Sequence, residues 1–275
     1  MTLSIDSTVQ LNNGVAMPRF GLGTYQTPAG SSTENAVRHA LEVGYRAVDT
    51  AALYGNESGV GNAVRAGIVP REQVFVTSKV WVDDLNYEDT KAAFDATMQQ
   101  MGLDTLDLYL IHWPVNDWQG AWRALEEIHQ AGRVRAIGVS NFLQHHLETL
   151  FDFAEIRPTV NQVELHPFLQ QPDLVAFCHE YDIQVTAWAP LMKGRVMDVP
   201  ELVDIGQQFG KTAIQVTLRW MLQIGLLTIP KSAKPEHIDA NADIFDFELS
   251  DSEIQTINSL DRDERLGMHP DHFGE

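Results

Sequence analysis

The chain has 275 residues and carries 38 acidic residues against 19 basic ones, a formal net charge of −19 at neutral pH. This charge argues against a protein that holds nucleic acid or an anionic membrane by bulk positive charge. A hydrophobic content of 44% excludes a disordered chain, and the single cysteine, Cys178, excludes an intrachain disulfide and a multi-thiolate metal site.

The N-terminal segment carries no signal for secretion. Met1–Gln10 lacks a basic region followed by an apolar one, and no apolar run of the chain approaches the roughly 18 residues that span a bilayer. We therefore expect a cytoplasmic protein with no membrane partner. Next along the chain, Thr8–Val15 predicts a β-hairpin, with Asn13-Gly14 as its turn.

Eight short apolar runs follow, and each is bounded by Gly, Pro, Asn or Asp, as is typical of buried parallel strands. The runs are Phe20–Gly23, Ala47–Thr50, Val74–Val80, Leu106–His112, Ala136–Ser140, Val160–Leu165, Gln184–Ala189 and Leu226–Pro230. Seven segments with helical periodicity lie between them: Thr33–Val43, Glu57–Ala66, Asn86–Met101, Trp118–Ala131, Leu143–Phe151, Gln171–Tyr181 and Ala213–Ile224. Eight strands alternating with helices in about 250 residues predict a closed (β/α)8 TIM barrel rather than an open sheet.

Two further helices are predicted outside this alternation, near Val199–Phe209 and near Ser250–Leu260. The second begins with Ser250 and Glu253, which are spaced as in a capping box. No Ser/Gly/Pro-rich linker divides the sequence, so we expect residues 1–275 to form a single domain.

Charged and polar residues end several of the predicted strands. Asp49, Lys79 and His112 each close a strand, and Tyr54 follows the first of these strands. Catalytic side chains of a parallel barrel sit at the carboxyl ends of its strands, and buried charges such as Asp49 and Lys79 are costly unless they pair. A lysine ammonium lowers the pKa of a neighbouring phenol, and a histidine can hydrogen-bond a reacting oxygen. The four residues therefore predict a site that protonates an oxygen while a carbonyl is reduced.

The chain resembles the aldo-keto reductase family over nearly its whole length. The matching segments, in order and spacing, are "MPRFGLGTY", "GYRAVDTAALYGNESGVG", "VFVTSKVW", "DLYLIHWP", "AIGVSNF", "VNQVELHP", "AWAPL" and "IPKSAKPEHI". The "ESGVG" stretch and the tail "RLGMHPDHFGE" resemble the bacterial 2,5-diketo-D-gluconate reductase-like branch. The resemblance implies an NADPH-dependent barrel enzyme that reduces aldehydes or ketones to alcohols. It implies 2,5-diketo-D-gluconate or a small dicarbonyl such as methylglyoxal as the substrate class.

The resemblance also implies roles for individual residues. Tyr54 would be the general acid, Lys79 would lower its pKa, Asp49 would hold Lys79, and His112 would orient the carbonyl. Trp188 would stack on the nicotinamide. The remaining cofactor residues would be Thr24, then Ser140, Asn141 and Gln162 at the carboxamide, Leu191 and Lys193 near the pyrophosphate, Lys231, Ser232, Lys234 and His237 near the 2′-phosphate, and Asn241 near the adenine. The candidates for the wall of the substrate pocket are Tyr25, Trp81, Trp113 and Trp118.

The sequence departs from the family pattern at the cofactor phosphate. Many relatives have arginine where Lys234 and His237 stand, and lysine lacks the bidentate fork of arginine. We therefore expect NADPH to be preferred over NADH, but less strongly than with an arginine pair, so that NADH is a possible second cofactor.

Two other functions remain open at this stage. A metal-dependent barrel hydrolase would need histidines on several strands, whereas only His112 ends one. A non-catalytic NADP-binding regulatory subunit is the other alternative, and the intact set of four residues argues against it. No metal ligands are predicted, because the adjacent His145 and His146 are interpreted as an exposed helix face whose members point to different sides. We expect a monomer, because no apolar seam stands out.

Overall fold

The computed structural model describes residues 3–274, and its largest element is a sheet of eight parallel strands. A hairpin of β1 (Thr8–Gln10) and β2 (Ala16–Pro18) precedes this sheet. The sheet consists of β3 (Gly21–Gly23), β4 (Ala47–Asp49), β5 (Phe75–Val80), β6 (Leu106–Ile111), β7 (Val134–Ser140), β8 (Val160–Glu164), β9 (Gln184–Trp188) and β10 (Leu227–Thr228). Neighbouring strands follow chain order, and every pair is parallel.

The first and last strands meet, so the sheet nearly closes on itself. Parallel bridges join Phe20 to Thr228 and Gly23 to Lys231. The backbone of Gly23 donates to the carbonyl of Pro230 at 3.2 Å. A Cβ at Gly23 would lie 2.6 Å from the carbonyl oxygen of Ile229, so only glycine permits this approach. The arrangement confirms the predicted (β/α)8 TIM barrel.

Helices connect the strands on the outside of the barrel. They are α1 (Ser31–Val43), α2 (Glu57–Arg65), α3 (Tyr87–Met101), α4 (Trp118–Gln130), α5 (Gln144–Phe151), α6 (Pro172–Glu180), α7 (Pro200–Phe209), α8 (Ala213–Gln223), α9 (Pro235–Ala242) and α10 (Asp251–Asn258). The two predicted extra helices are α7 and α10. Short 3-10 turns lie at Ala52–Tyr54, Arg71–Gln73, Val82–Asp84, Met192–Asp198 and Pro270–His272.

Helix α9 was not predicted from the sequence. Only Ile238 and Asn241 of its eight residues are buried, so it has no apolar stripe with a helical period. Pro235 at its first position is a known helix-start signal and was the one local indication.

The hairpin is longer than its sequence signal indicates. Its second strand lies beyond the predicted end at Val15, and the turn is closed by the Leu11 amide donating to the Val15 carbonyl at 2.9 Å. Leu11 and Met17 pack against residues at the starts of the barrel strands, including Ala47 and Phe75. The hairpin therefore closes the amino-terminal end of the barrel, and the carboxyl ends of the strands form the opposite mouth. Within residues 3–274, no helix is long and apolar enough to cross a membrane.

Candidate active site

A buried ion pair lies at the mouth of the barrel. Lys79, on β5, is completely buried, and its Nζ donates to Asp49 Oδ1 at 2.6 Å and to the carbonyl oxygen of Thr50 at 2.9 Å. Asp49 ends β4, the neighbouring strand. Burial lowers the pKa of the Lys79 ammonium, and the Asp49 carboxylate opposes this by stabilising the charged form. The register of two adjacent strands thus supplies the pairing that a buried lysine requires.

Tyr54 and His112 lie beside this pair. The Lys79 ammonium is 5.2 Å from the centre of the Tyr54 ring, and the rings of Tyr54 and His112 are 5.8 Å apart, edge to face. The four residues predicted to act together are therefore gathered at one place. Sequence positions 49, 54, 79 and 112 meet because three adjacent strands end at the same mouth.

The ionisation of the two rings favours their neutral forms. Burial, with the nearby charge of Asp49 and the Tyr25 hydroxyl, raises the pKa of the Tyr54 phenol well above its ordinary value. The lowering expected from Lys79 is therefore outweighed in this structure. Burial, together with the positive charge of Lys79, holds the pKa of His112 well below its usual value. At neutral pH the site thus contains a protonated phenol and an uncharged imidazole.

One polar atom of the His112 ring makes no hydrogen bond within the described part of the chain. Its Nδ1 is buried and has no hydrogen-bond partner among residues 3–274. A buried polar atom without a partner is costly, so its retention at the barrel mouth is typical of a functional position.

Two buried polar residues next to the four were not predicted as site residues. Asn56 accepts from Thr50 Oγ1 at 2.7 Å and donates to the carbonyl oxygens of Thr24 and Thr27. Glu57 is 1% exposed and accepts from Ser78 Oγ at 2.5 Å. Burial raises the pKa of the Glu57 carboxyl. Both residues belong to the sequence "YGNE", which does not indicate their contacts. The structure shows that hydrogen bonds from Asn56 hold the loop that carries Tyr54.

The residues predicted to hold a nicotinamide ring form one hydrogen-bonded cluster, at the ends of β7 and β9 and in the middle of β8. Trp188 Nε1 donates to Asn141 Oδ1 at 2.8 Å, and Asn141 Nδ2 donates to the carbonyl oxygen of His112 at 3.0 Å. Gln162 Nε2 donates to Asp49 Oδ2 at 2.8 Å, and Ser140 Oγ donates to the carbonyl oxygen of Gln162. The cluster therefore ties the half-buried Trp188 indole to the backbone of His112 and to Asp49.

The chain's six lysines divide into two groups of three. Lys79, Lys91 and Lys211 form ion pairs with acidic side chains. In the part of the chain that the structure describes, Lys193, Lys231 and Lys234 are exposed and form no ion pair. These three are the lysines predicted to meet cofactor phosphates, and they remain unpaired in a chain with 38 acidic residues.

The segments that carry these lysines have distinct local structures. Lys193 lies in the turn Met192–Asp198 in a left-handed conformation, with φ of 55°, directly after the buried Met192. Lys231 and Lys234 precede α9 and flank the buried Ser232, whose hydroxyl accepts from the Lys234 amide at 3.2 Å. His237 is exposed on the first turn of α9, and Asn241 is buried on its last turn.

Three of the four predicted pocket residues border the mouth. The Tyr25 ring lies 5.0 Å from the Tyr54 ring, and the Trp81 ring lies 5.1 Å from the His112 ring. Trp118 is elsewhere: it begins α4, is 6% exposed and packs against Phe142 in the core. It has the same residue type as the pocket tryptophans, and only the packing distinguishes it from them.

Phe273 joins the aromatic wall and was not predicted. Its ring lies 4.6 Å from the Trp113 ring and 5.9 Å from the Trp81 ring. Because it is about 160 positions from Trp113 in the chain, no local sequence signal connects the two.

The C-terminal segment that carries Phe273 is fastened by a buried carboxylate. Glu164, at the end of β8, accepts from the backbone amides of Leu266 at 2.6 Å and Gly267 at 3.1 Å, and His166 Nε2 lies 3.2 Å from it. Burial alone would raise the pKa of Glu164, but the hydrogen bonds from His166, Leu266 and Gly267 together lower it. A Cβ at Gly267 would lie 2.5 Å from the Trp188 ring, so the segment passes directly over the indole edge.

These features fit a phosphorylated dinucleotide. Trp188 offers a half-buried aromatic face held in orientation by Asn141. The unpaired Lys193, Lys231 and Lys234 offer positive charge for phosphate groups. Fold and site together define an oxidoreductase built on a (β/α)8 barrel.

Comparison with known proteins gives the family. The sequence model of the aldo/keto reductase family matches residues 19–262. The glyoxal reductase of Bacillus subtilis (strain 168) is 50% identical over 274 residues, covering 99% of each chain. The chain belongs to the aldo/keto reductase family.

Two solved structures share the fold closely. MGS-M4, an aldo-keto reductase from a Medee basin deep-sea metagenome library, is 41% identical with a TM-score of 0.95, covering 97% of this chain and 100% of that one. A mutant of Gox0644 in complex with NADPH is 39% identical with a TM-score of 0.91, covering 97% of this chain and 98% of that one.

Proposed function

We propose that the protein reduces a small aldehyde or ketone to an alcohol, with NADPH as the hydride donor. One observation carries this proposal: the completely buried Lys79 pairs with Asp49 directly beside Tyr54 and His112. Burying a lysine is costly, and such a charge beside a phenol and an imidazole is typical of a site that moves a proton.

Each residue would contribute a defined part of the reaction. When bound at this site, NADPH would be the source of the hydride that reaches the carbonyl carbon. Tyr54 donates its phenolic proton to the carbonyl oxygen, and the raised pKa keeps that proton in place until the oxygen becomes basic. Neutral His112 hydrogen-bonds the same oxygen and orients the substrate. Lys79, held by Asp49, supplies a positive charge that stabilises the phenolate left behind.

The cofactor assignment is supported by the distribution of positive charge. Trp188 would stack on the nicotinamide, with Ser140, Asn141 and Gln162 around it and Thr24 and Leu191 nearby. Lys193 would meet the pyrophosphate. Lys231, Ser232 and Lys234 would meet the 2′-phosphate, with His237 and Asn241 beside the adenosine. The NADPH complex of the Gox0644 mutant supports the same cofactor.

The substrate class we propose is a small dicarbonyl of the glyoxal type. The relative from Bacillus subtilis bears the name glyoxal reductase. Tyr25 packs against Tyr54 and Trp81 packs against His112, and Phe273 joins Trp81 to Trp113, which gives the mouth an aromatic border. Such a wall suits a compact substrate, one carbonyl oxygen of which reaches both the phenol and the imidazole.

The test is NADPH oxidation by the purified protein with glyoxal, methylglyoxal and 2,5-diketo-D-gluconate. We expect turnover with the small dicarbonyls and a loss of at least a hundredfold in kcat for Tyr54→Phe, because general acid catalysis contributes about 10²–10⁴-fold. Tyr87→Phe is the matched control, because Tyr87 is a surface tyrosine that bonds Glu127. Absence of NADPH-dependent turnover, or an unimpaired Tyr54→Phe variant, would contradict the proposal.

A second test addresses the cofactor phosphates. We expect Lys231→Met and Lys234→Met to raise the KM for NADPH while leaving kcat and the KM for NADH nearly unchanged. Lys91→Met, at an exposed pair with Glu127, is the control. Equal or better catalytic efficiency of the unaltered protein with NADH would contradict the preference for NADPH.

We also propose that residues 1–275 act as one domain and as a monomer in the cytoplasm. The large exposed hydrophobic side chains of residues 3–274 are Tyr25, Leu53, Met197 and Met268, and Tyr25 belongs to the proposed pocket. A net charge of −19 disfavours self-association. Sedimentation velocity at several concentrations would test the monomer.

A further inference from the structure

A cluster of imidazoles and a carboxylate lies where the C-terminal segment meets α5, away from the four residues of the reaction. His145 Nε2 is 3.0 Å from Asp271 Oδ1, and His146 Nε2 is 3.4 Å from the same oxygen. The centres of the two histidine rings are only 4.0 Å apart. The expectation that these adjacent residues point to different sides is therefore wrong, because both rings turn toward Asp271.

The separations suit a divalent metal ion. Zinc binds imidazole nitrogen and carboxylate oxygen at about 2.0–2.2 Å in a tetrahedral arrangement, so its ligand atoms lie about 3.3–3.5 Å apart. The two measured separations, 3.0 and 3.4 Å, lie within a few tenths of an ångström of that spacing, and all three ligand atoms lie within 4.8 Å of one another. His269 is on the same segment, but its Nδ1 lies 3.8 Å from Asp271 Oδ2 and accepts from the Asp271 amide at 3.3 Å, so the proposed set is limited to the other three residues.

A simple hydrogen-bonded pair is the alternative, and the chain contains one for comparison. His39 Nε2 lies 2.7 Å from Asp239 Oδ1 on the surface, and within residues 3–274 no second imidazole joins them. At Asp271, by contrast, two imidazoles converge on one oxygen.

We propose that His145, His146 and Asp271 form a binding site for zinc or a similar transition-metal dication, which fastens the C-terminal segment to α5. Asp271 lies two residues before Phe273, whose ring contacts Trp113 and Trp81. A bound ion would therefore hold one wall of the mouth in place without taking part in proton or hydride transfer.

The proposal has a specific local consequence. His146 Nδ1 accepts a hydrogen bond from the Leu143 amide at 3.1 Å. A neutral imidazole that ligates through Nε2 carries its proton on Nδ1, which then cannot accept. Metal binding must therefore break the Leu143 bond, and the amide resonance of Leu143 should move.

The experiment is a zinc titration of tag-free, chelator-treated full-length protein against a chromophoric competitor. We expect one zinc per chain, and at least a tenfold loss of affinity in His145→Ala and in Asp271→Asn. His39→Ala, at the isolated histidine–aspartate pair, should bind zinc as the unaltered protein does. Zinc binding that is absent, or that is equal in all four proteins, would overturn the proposal.

Two further measurements separate ligation from an effect on folding. Cobalt should give the intense visible bands of tetrahedral coordination with the unaltered protein and not with Asp271→Asn, while far-ultraviolet circular dichroism stays the same. The ¹⁵N resonance of Leu143 should shift on zinc addition only where Asp271 is present. A spectrum without tetrahedral bands, or a Leu143 resonance that does not move, would overturn the site as described.

Discussion

Lys79 is a completely buried charge whose nearest counter-charge is Asp49 at 2.6 Å. Because Lys79 is completely buried, its charge depends on that partner: burial by itself favours the uncharged amine. The pair therefore links stability to chemistry: the same contact that permits the burial of Lys79 also keeps it charged beside Tyr54.

Asp49→Asn tests this dependence. We expect the free energy of unfolding to fall by about 3–5 kcal/mol, because removing one partner leaves an uncompensated buried charge. Urea denaturation followed by circular dichroism measures it. Glu127→Gln, which breaks the exposed pair with Lys91, should leave stability nearly unchanged. Equal effects of the two substitutions would refute the argument.

The ionisation of Tyr54 and His112 predicts a broad pH profile. In the proposed mechanism Tyr54 must be protonated, and burial raises its pKa well above 10.0. His112 must be neutral, and burial lowers its pKa well below 6.5. We therefore expect kcat/KM for a carbonyl, which reports the free enzyme, to show no fall from Tyr54 below pH 10 and none from His112 near pH 6.5. Initial rates after brief pH jumps, with stability checked at each pH, measure this. A Tyr54-dependent alkaline inflection below pH 10 would instead show that the charge of Lys79 outweighs burial at the phenol.

At the scale of elements, the C-terminal segment connects distant parts of the site. Glu164 at the end of β8 holds the Leu266 and Gly267 amides, and the segment then passes over Trp188 and reaches Trp113 through Phe273. One buried carboxylate thereby positions both the edge of the proposed nicotinamide platform and a wall of the pocket.

Gly267→Ala tests this contact. The added Cβ would lie 2.5 Å from the Trp188 ring and 3.1 Å from Glu164 Oε2, so the segment or the indole must shift. Because overpacking costs about 1–3 kcal/mol, we expect the Kd for NADPH to rise about tenfold. Quenching of tryptophan fluorescence on NADPH addition measures the Kd. The neighbouring Met268→Ala, at a 47% exposed side chain, should leave it unchanged; a Gly267→Ala variant with normal affinity would rule out the coupling.

Strands and helices could be predicted from the sequence where a short stretch of chain carries the whole pattern. All eight strands are short apolar runs between turn residues, and α10 begins with the predicted capping box of Ser250 and Glu253. Helix α9 was missed because only Ile238 and Asn241 are buried, and two positions do not form an apolar stripe with a helical period. The second hairpin strand, Ala16–Pro18, was missed because its three residues do not alternate in polarity, and Met17 and Pro18 are both buried.

At the scale of the whole molecule, the net charge is −19, yet only some of the lysines form ion pairs with acidic side chains. Acidic residues outnumber basic ones two to one, yet Lys193, Lys231 and Lys234 are exposed and unpaired within residues 3–274. On a surface whose net charge is negative, these lysines would supply attraction for the phosphates of the proposed cofactor.

Salt should act in opposite directions on the stability of the fold and on the affinity for NADPH. Between about 0.1 and 1 M NaCl the Debye length shortens from about 10 to 3 Å, which screens repulsion between carboxylates and also attraction between lysines and phosphates. We expect the free energy of unfolding to hold or rise and the affinity for NADPH to fall. Urea denaturation and NADPH titration at matched salt concentrations measure both. A steep loss of stability in moderate salt would count against self-repulsion as the main electrostatic effect on stability.

The sequence by itself determined the barrel and the grouping of the four residues that we propose to react. Strand boundaries follow from local apolar runs and turn residues, and parallel strands must present their carboxyl ends at one mouth, which is why Asp49, Tyr54, Lys79 and His112 could be grouped from their positions alone. Only the tertiary structure decided which residues of the same type lie in different environments. It separates the core Trp118 from Trp81 and Trp113, brings Phe273 and Gly267 to the mouth through Glu164, and turns His145 and His146 toward Asp271. Several of these contacts join residues more than a hundred positions apart, and such contacts are set by packing of the whole chain rather than by any local pattern.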